Sequence, residues 1–326
     1  MWKPIRSALN TLIADATGKP VALRKLLGKG DQYKGDISEP ERSTAEGAVV
    51  KWHDWASHSA LDWPRLPVAS LRGWALRRGE YVSKTMHIPE MEALTISVVV
   101  DEHTLDLREI EGFSSSKSDL HEYLSMEDFA RQRCPDWIVD VSDESLRKML
   151  AHDEIRVLHS QHHTDHFSQY GWDGRVFLSN SGGSHHTAAA QYIANRLQID
   201  VPLSAPLRVY LLNEASVEAL ATQYEIFSVP DEASFQVPFH DALSAVGATY
   251  FWHRMPAPYQ DQRAVFLPRE DARSLAVANE LRAACVPDLG KHLTMLVERQ
   301  RVMLEKGVLR AAAGAECLNR DDVPTL

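Results

Sequence analysis

The stretch RVFLSNSGGSHHTAAAQYIANRL, Arg175 to Leu197, decides how the rest of this chain is read. An apolar, strand-like run ends in two glycines, and an alanine-rich helix follows a serine and two histidines. The first turn of a helix leaves backbone N–H groups without partners, and the helix dipole adds partial positive charge there. Glycines let the chain turn sharply and let a ligand approach the backbone. Ser184 reads as the cap, and His185 and His186 fall in the first turn, where either imidazole can donate to an oxyanion. Ala188, Ala189 and Ala190 keep the helix narrow enough to lie close to a sheet. Phosphate, sulfate or carboxylate suits such a place. A ligand-free Gly-Gly connector carries the same signature. The histidine pair turns the reading toward an anion. Charged imidazoles are poorly placed at a positive helix end, so they are expected as neutral donors or as cations stabilised by a bound anion.

Working outward, HSQHHTDHF places His159, His162, His163 and His166 within eight residues, with Asp165 among them. A loop over the anion site is expected here, with His163, Asp165 or Asp173 placed to polarise a water or hydroxyl. The same histidines raise a metal reading, a zinc site on His159, His162 and His166, since imidazole is a common zinc ligand. No HExxH signature accompanies them. The turn Trp172–Arg175 precedes the strand, and EIRVLHS (154–160) reads as another. SMEDFARQRC and SDESLRKMLAH carry serine caps and acidic first turns and are read as helices, with DWIVDV as a short strand between them. ALTISVVVDEHTLDLREI reads as two strands joined near Asp101–His103. LRVYLLN, TYFWHRM and RAVFLP are strands, PFHDALSAVGA a helix, and the tail from about 269 to 310 is helical by its apolar spacing. Asn213 and Glu214, at a strand end, are read as helix-capping residues or magnesium ligands.

Residues 1–90 look irregular, with helices near 4–16 and 20–28 and then a polar stretch. Tryptophans 52, 55, 63 and 74 are expected to pin this arm by burial, the alternative being a stacking surface. LRGWALRRGEYVSK reads as a solvated turn beside a packed Trp74, or as a basic patch. The expected organisation is 1–90 as N-terminal helices and Trp-rich arm, 91–268 as an α/β core, and 269–326 as C-terminal helices.

A formal charge of −10 argues against a nucleic-acid or anionic-membrane partner, which would gain nothing from long-range attraction. No apolar run reaches the roughly 20 residues of a membrane span, and the basic start lacks an apolar h-region, so secretion is not expected. Cys134, Cys285 and Cys317 form no CxxC pair, which fits reduced thiols in the cytoplasm.

The residues GGSHHTAAAQYIANRLQIDVPLSAPLRVYLL resemble the nucleotide-binding turn of the ParB/sulfiredoxin-like superfamily. There a strand leads to a Gly-x-His-Arg or related turn, and sulfiredoxins carry Gly-Gly-Cys-His-Arg. Gly182 and Gly183 stand at the glycines, Ser184 at the cysteine, His185 at the histidine and His186 at the arginine; related members carry a Gly-His-His form closer to this one. The resemblance covers about 155–213 and implies a nucleotide phosphate on this turn, ATP or CTP with magnesium, or nucleic-acid cleavage in some branches. Ser184 disfavours thiolate-based sulfinic-acid repair. His186 gives up a forked, permanently charged guanidinium, for which Arg175, Arg156 or Arg196 must compensate.

The sequence thus predicts an α/β (α+β) chain: a mixed sheet with a ParB/sulfiredoxin-like core, an irregular N-terminal arm and a helical C-terminal tail. It is expected to bind a nucleotide or phosphorylated small molecule through Ser181, Gly182, Gly183, Ser184 and Arg175. His185, His186, His163, Asp165 and Asp173 are the candidate catalytic groups of a phosphohydrolase or phosphotransferase. The alternatives are a histidine-rich metal-dependent hydrolase or nuclease, and a non-enzymatic prophage- or defence-associated protein that binds a protein partner.

Overall fold

The computed structural model describes residues 2–30, 34–57, 67–160 and 164–310. In chain order the elements begin α1 (Trp2–Ala16), α2 (Val21–Leu27), β1 (Ser70–Arg77), β2 (Glu80–His87), α3 (Pro89–Glu92), β3 (Thr95–Asp106) and β4 (Ile110–Phe113). Then come α4 (Met126–Arg133), α5 (Asp143–Leu150), α6 (Arg156–His159), β5 (His166–Tyr170), β6 (Val176–Ser179), α7 (Ser184–Leu197) and β7 (Pro202–Leu212). The last elements among the described residues are α8 (Glu214–Gln223), β8 (Tyr224–Pro230), α9 (Ala233–Val246), β9 (Tyr250–Arg254), β10 (Gln262–Pro268), α10 (Ala272–Ala283) and α11 (Leu289–Glu305). This is an α+β fold with a helical C-terminal region.

The chain forms two compact units, each assembled from three separated stretches rather than from the linear blocks expected above. The reason is strand pairing, which a linear reading cannot see. In the unit comprising Met1–Glu39, Lys51–Thr95 and Asn213–Val297, the sheet order is β2-β1-β9-β10-β8. All its neighbours are antiparallel. LRGWALRRGEYVSK is therefore a hairpin, turning at Arg78 and Gly79, both with positive φ (50° and 87°). Such values suit the right-handed twist of the strands on either side. Trp74 packs on Tyr81 and His240, with ring centroids at 6.0 and 4.7 Å. Trp52 and Trp55 are buried, edge to face at 5.3 Å, as the burial reading expects, and offer no stacking surface. Trp63 lies outside the described residues. Leu23, Phe239, Leu243, Val277 and Leu281 of α2, α9 and α10 close the core over Phe227, Val265 and Leu267.

The unit comprising Pro40–Val50, Ile96–Leu212 and Glu298–Leu326 holds a mixed sheet in the order β3-β7-β5-β6-β4. β5 runs parallel to β7 and antiparallel to β6, and β4 runs parallel to β6. α7 lies between α4 and α5, with Ala188, Ala189, Ala190, Ile193 and Ala194 fully buried. Ser125 and Ser142 cap α4 and α5, accepting from the amides of Asp128 and Ser145.

Three local expectations are corrected. Residues 95–106 form one strand: the stretch holds no glycine or proline on which to turn, and an edge strand tolerates charged side chains facing water. DWIVDV is no strand: Pro135–Trp137 is a single helical turn, and Val139 stays 81% exposed with no sheet to join. EIRVLHS holds the short helix α6; an apolar run of this length is ambiguous by periodicity, and Ile155 and Val157 enter the core from it.

Candidate functional site

β4 and β6 are parallel neighbours, so their C-terminal ends deliver two loops to the same place, as ligand sites in open sheets often require. β6 leads into Asn180–Gly183 and α7; β4 leads into Ser114–Ser118. The loops are tied together: the Ser115 amide donates to Asn180 Oδ1 at 3.3 Å and Ser184 Oγ donates to Ser116 Oγ at 3.0 Å, while Asn180 Nδ2 donates to Gly182 O at 2.8 Å within its own loop. Between them opens a cleft of about 610 Å³ lined by residues 181–186, Ser115–Lys117, Arg133, Trp137, His152, Glu154 and Arg156.

Gly183, not Ser184, is the cap of α7, in the left-handed region at φ 75°. What approaches it is the chain itself: a Cβ on Gly183 would stand 2.6 Å from the carbonyl oxygen of Glu154. The glycine is thus required by packing on the turn before α6. No side chain caps the helix, and among the described residues the amides of Ser184, His185 and His186 find no acceptor. Arg133 and Arg156 are exposed beside them, as is Lys117, which lies 3.8 Å from Glu154. Three cations against one carboxylate make a basic spot on an acidic chain.

Ser181 lines the cleft; its amide and hydroxyl both donate to buried Asp165 Oδ1, at 3.0 and 2.6 Å, and Arg156 Nη1 donates to Ser181 Oγ at 2.7 Å. Asp165 therefore holds the turn. His186 is sandwiched between Trp137 and His152, with centroids at 4.3 and 3.6 Å and near-parallel planes. His185 packs against Phe129 and places Nε2 3.0 Å from Ser118 Oγ. Burial, reinforced by Arg133 and Lys117, holds His185 below the usual histidine range against the pull of Glu154. Burial and then His152 do the same to His186. Both are neutral near pH 7, fit to donate or accept one hydrogen bond per nitrogen.

Other sequence candidates do not join the cleft. Arg175 and Asp173 pair with each other at the far end of β6, at 2.7 and 2.8 Å, and Arg175 Nη1 donates to Ser43 O. The strand between them and the glycines sets the separation. Arg196 pairs with Glu127 at 2.6 Å, so of the three proposed arginines only Arg156 lines the cleft. His159 bonds the Leu150 carbonyl at 2.6 Å and His166 the Thr164 carbonyl at 2.9 Å. His162 and His163 lie outside the described residues, among which no three metal-ligating side chains come together. Asn213 stands at the N-cap of α8, with no side-chain capping bond, and Glu214 begins the helix.

The Ser114–Ser118 loop, Arg133, Trp137, His152 and Glu154 were not singled out by sequence. The run SSSKS after a short apolar stretch is the one signal that points to this loop. Comparisons with curated proteins and with solved structures give no match. A family match spans every residue lining the cleft: residues 100–306 fit a family of unknown function (DUF6685), and the chain belongs to that family.

Proposed function

We propose that this protein binds a phosphorylated small molecule, a nucleotide or another phosphate ester, in the cleft before α7. One observation carries the reading: three first-turn amides without acceptors among the described residues border a cleft of about 610 Å³ that also holds Lys117, Arg133 and Arg156. Amides at a positive helix end take an anionic oxygen, and guanidinium groups fork onto phosphate. The volume lies within the usual range of small-molecule sites, so there is room for an organic group beyond the anion. The resemblance of Gly182–His186 to the ParB/sulfiredoxin-like turn favours a nucleotide, ATP or CTP. Among the described residues lining the cleft, Glu154 is the carboxylate; a magnesium ion arriving with a nucleotide would take it as a ligand and rely otherwise on phosphates and water. Phosphoryl transfer or hydrolysis is the reaction class we assign, with His185 and His186 beside the bound phosphate. Free Cys134 and Cys285 suit a reducing, cytoplasmic setting.

Thermal shifts with ATP, CTP, AMP and sulfate test the binding. A ligand at 100 times its Kd adds about 2.7 kcal/mol to the native state. The shift is expected in the wild type and reduced in the double variant Arg133→Ala/Arg156→Ala; no shift with any of the four overturns the reading. Release of inorganic phosphate from ATP or CTP, lost in His185→Asn, tests the chemistry.

A further inference from the structure

The two adjacent histidines of α7 differ nitrogen by nitrogen. His185 Nε2 lies 3.0 Å from Ser118 Oγ. A hydroxyl donates and accepts, so it satisfies Nε2 with or without a proton. His185 Nδ1 has no partner among the described residues and is not enclosed; it belongs to a residue that lines the cleft. His186 is the opposite case. Its Nδ1 is buried with no hydrogen-bond partner, and its ring is held between Trp137 and His152. A proton on that nitrogen would be a buried donor with nothing to receive it, which is costly. His186 therefore has one usable nitrogen and stays neutral.

We infer that His185 is the proton-carrying group of this cleft, with Ser118 as its positioning residue, and that it takes up a proton when an anion binds, while His186 remains a neutral wall. The inference rests on the anion-binding reading above. The groups facing His185 come from every element around it. Arg133 and Cys134 belong to the end of α4, Lys117 to the loop after β4, Glu154 to the turn before α6, and His186 adjoins it in α7. Arg133 and Lys117 oppose a charge on the imidazole, and Glu154 favours one. A dianion seated between those cations cancels their opposition and gives Nδ1–H an acceptor, while Nε2–H donates to Ser118 Oγ. Both nitrogens are then satisfied in the charged state. Ser118 is half-buried and does not line the cleft, so its role is to fix the ring, not to touch the ligand.

Sulfate is the probe, since it remains a dianion through the neutral range. Calorimetric titration at about pH 7 in two buffers of different ionisation enthalpy counts protons exchanged on binding. A fractional proton taken up is expected in the wild type. Affinity should then rise as pH falls, by up to about tenfold per pH unit. Uptake should vanish in His185→Asn with sulfate still bound, persist in His186→Asn, and fall in Ser118→Ala with recovery in Ser118→Thr. Imidazole ¹⁵N resonances of the unaltered protein give a variant-free check: sulfate should raise the titration midpoint of His185 and leave that of His186 in place. Sulfate binding without proton uptake, uptake that survives His185→Asn, or a midpoint that moves for His186 alone overturns this inference and leaves the binding reading standing. No sulfate binding in the wild type removes both.

Discussion

Replacing Gly183 by alanine tests why the chain has a glycine at the head of α7. The residue sits at φ 75°, ψ 6°, where a side chain costs about 1 kcal/mol or more. The new Cβ would also lie 2.6 Å from Glu154 O, 2.8 Å from Glu154 C and 2.9 Å from Ile155 N. All three are backbone atoms, so no rotamer relieves the contact. Reaching an ordinary 3.4 Å from Glu154 O requires the 154–155 peptide to retreat by about 0.8 Å. That peptide is anchored: the Ile155 amide donates to His152 O at 3.0 Å, and the Ile155 side chain is 2% exposed in the core. Overpacking of this kind costs about 1–3 kcal/mol, so the expected total is about 2–4 kcal/mol. Gly182→Ala is the control. Its Cβ would come no nearer than 3.6 Å to Glu154 O and its φ is not positive, so a loss within about 0.5 kcal/mol is expected. Urea denaturation of both variants reads the difference from midpoints at unchanged slope. Equal midpoints would refute the packing account and return Gly183 to a role in ligand approach.

Arg133→Ala and Arg156→Ala should each weaken sulfate or nucleotide binding by up to about fivefold, with the wild-type advantage shrinking at high salt; calorimetry across a salt series checks this. Ala189→Leu, at a fully buried position of α7, should cost about 1–3 kcal/mol or more, read as a lowered urea midpoint. Burial pushes the Asp271 carboxyl up, but donors from the amides of Thr249 and Arg273 and the Ser274 hydroxyl outweigh it and hold the group below the usual carboxylate range. The group ionises more readily when folded, so its contribution is present above its unfolded pKa and lost as pH falls through the folded one. The stability of the wild type should therefore drop faster below about pH 4 than that of Asp271→Ala, in denaturation series across pH.

Local signals were well preserved in this sequence. Ser125 and Ser142 cap the helices they were expected to cap, the Trp172–Arg175 turn joins β5 and β6, and α7 begins where the glycines place it. What sequence hid was pairing at a distance. The Ser114–Ser118 loop reaches the glycine turn only because β4 aligns parallel to β6, Phe113 opposite Leu178. Adjacency in sequence misled in the other direction. Arg175 is six residues from Ser181, but an intervening strand at about 3.3 Å per residue carries it some 20 Å away, into its pair with Asp173. The apolar pattern of DWIVDV suggests a strand for Trp137, but Pro135 makes it part of a turn, and the indole reaches His186.

Because the account stands on an anion at the head of α7, the most direct measurement is anomalous diffraction from crystals soaked in selenate. The account predicts a selenium peak within hydrogen-bond reach of the amides of Ser184, His185 and His186, close to Arg133 or Arg156. A cleft without selenium, in crystals where selenate is ordered elsewhere on the protein, would contradict it.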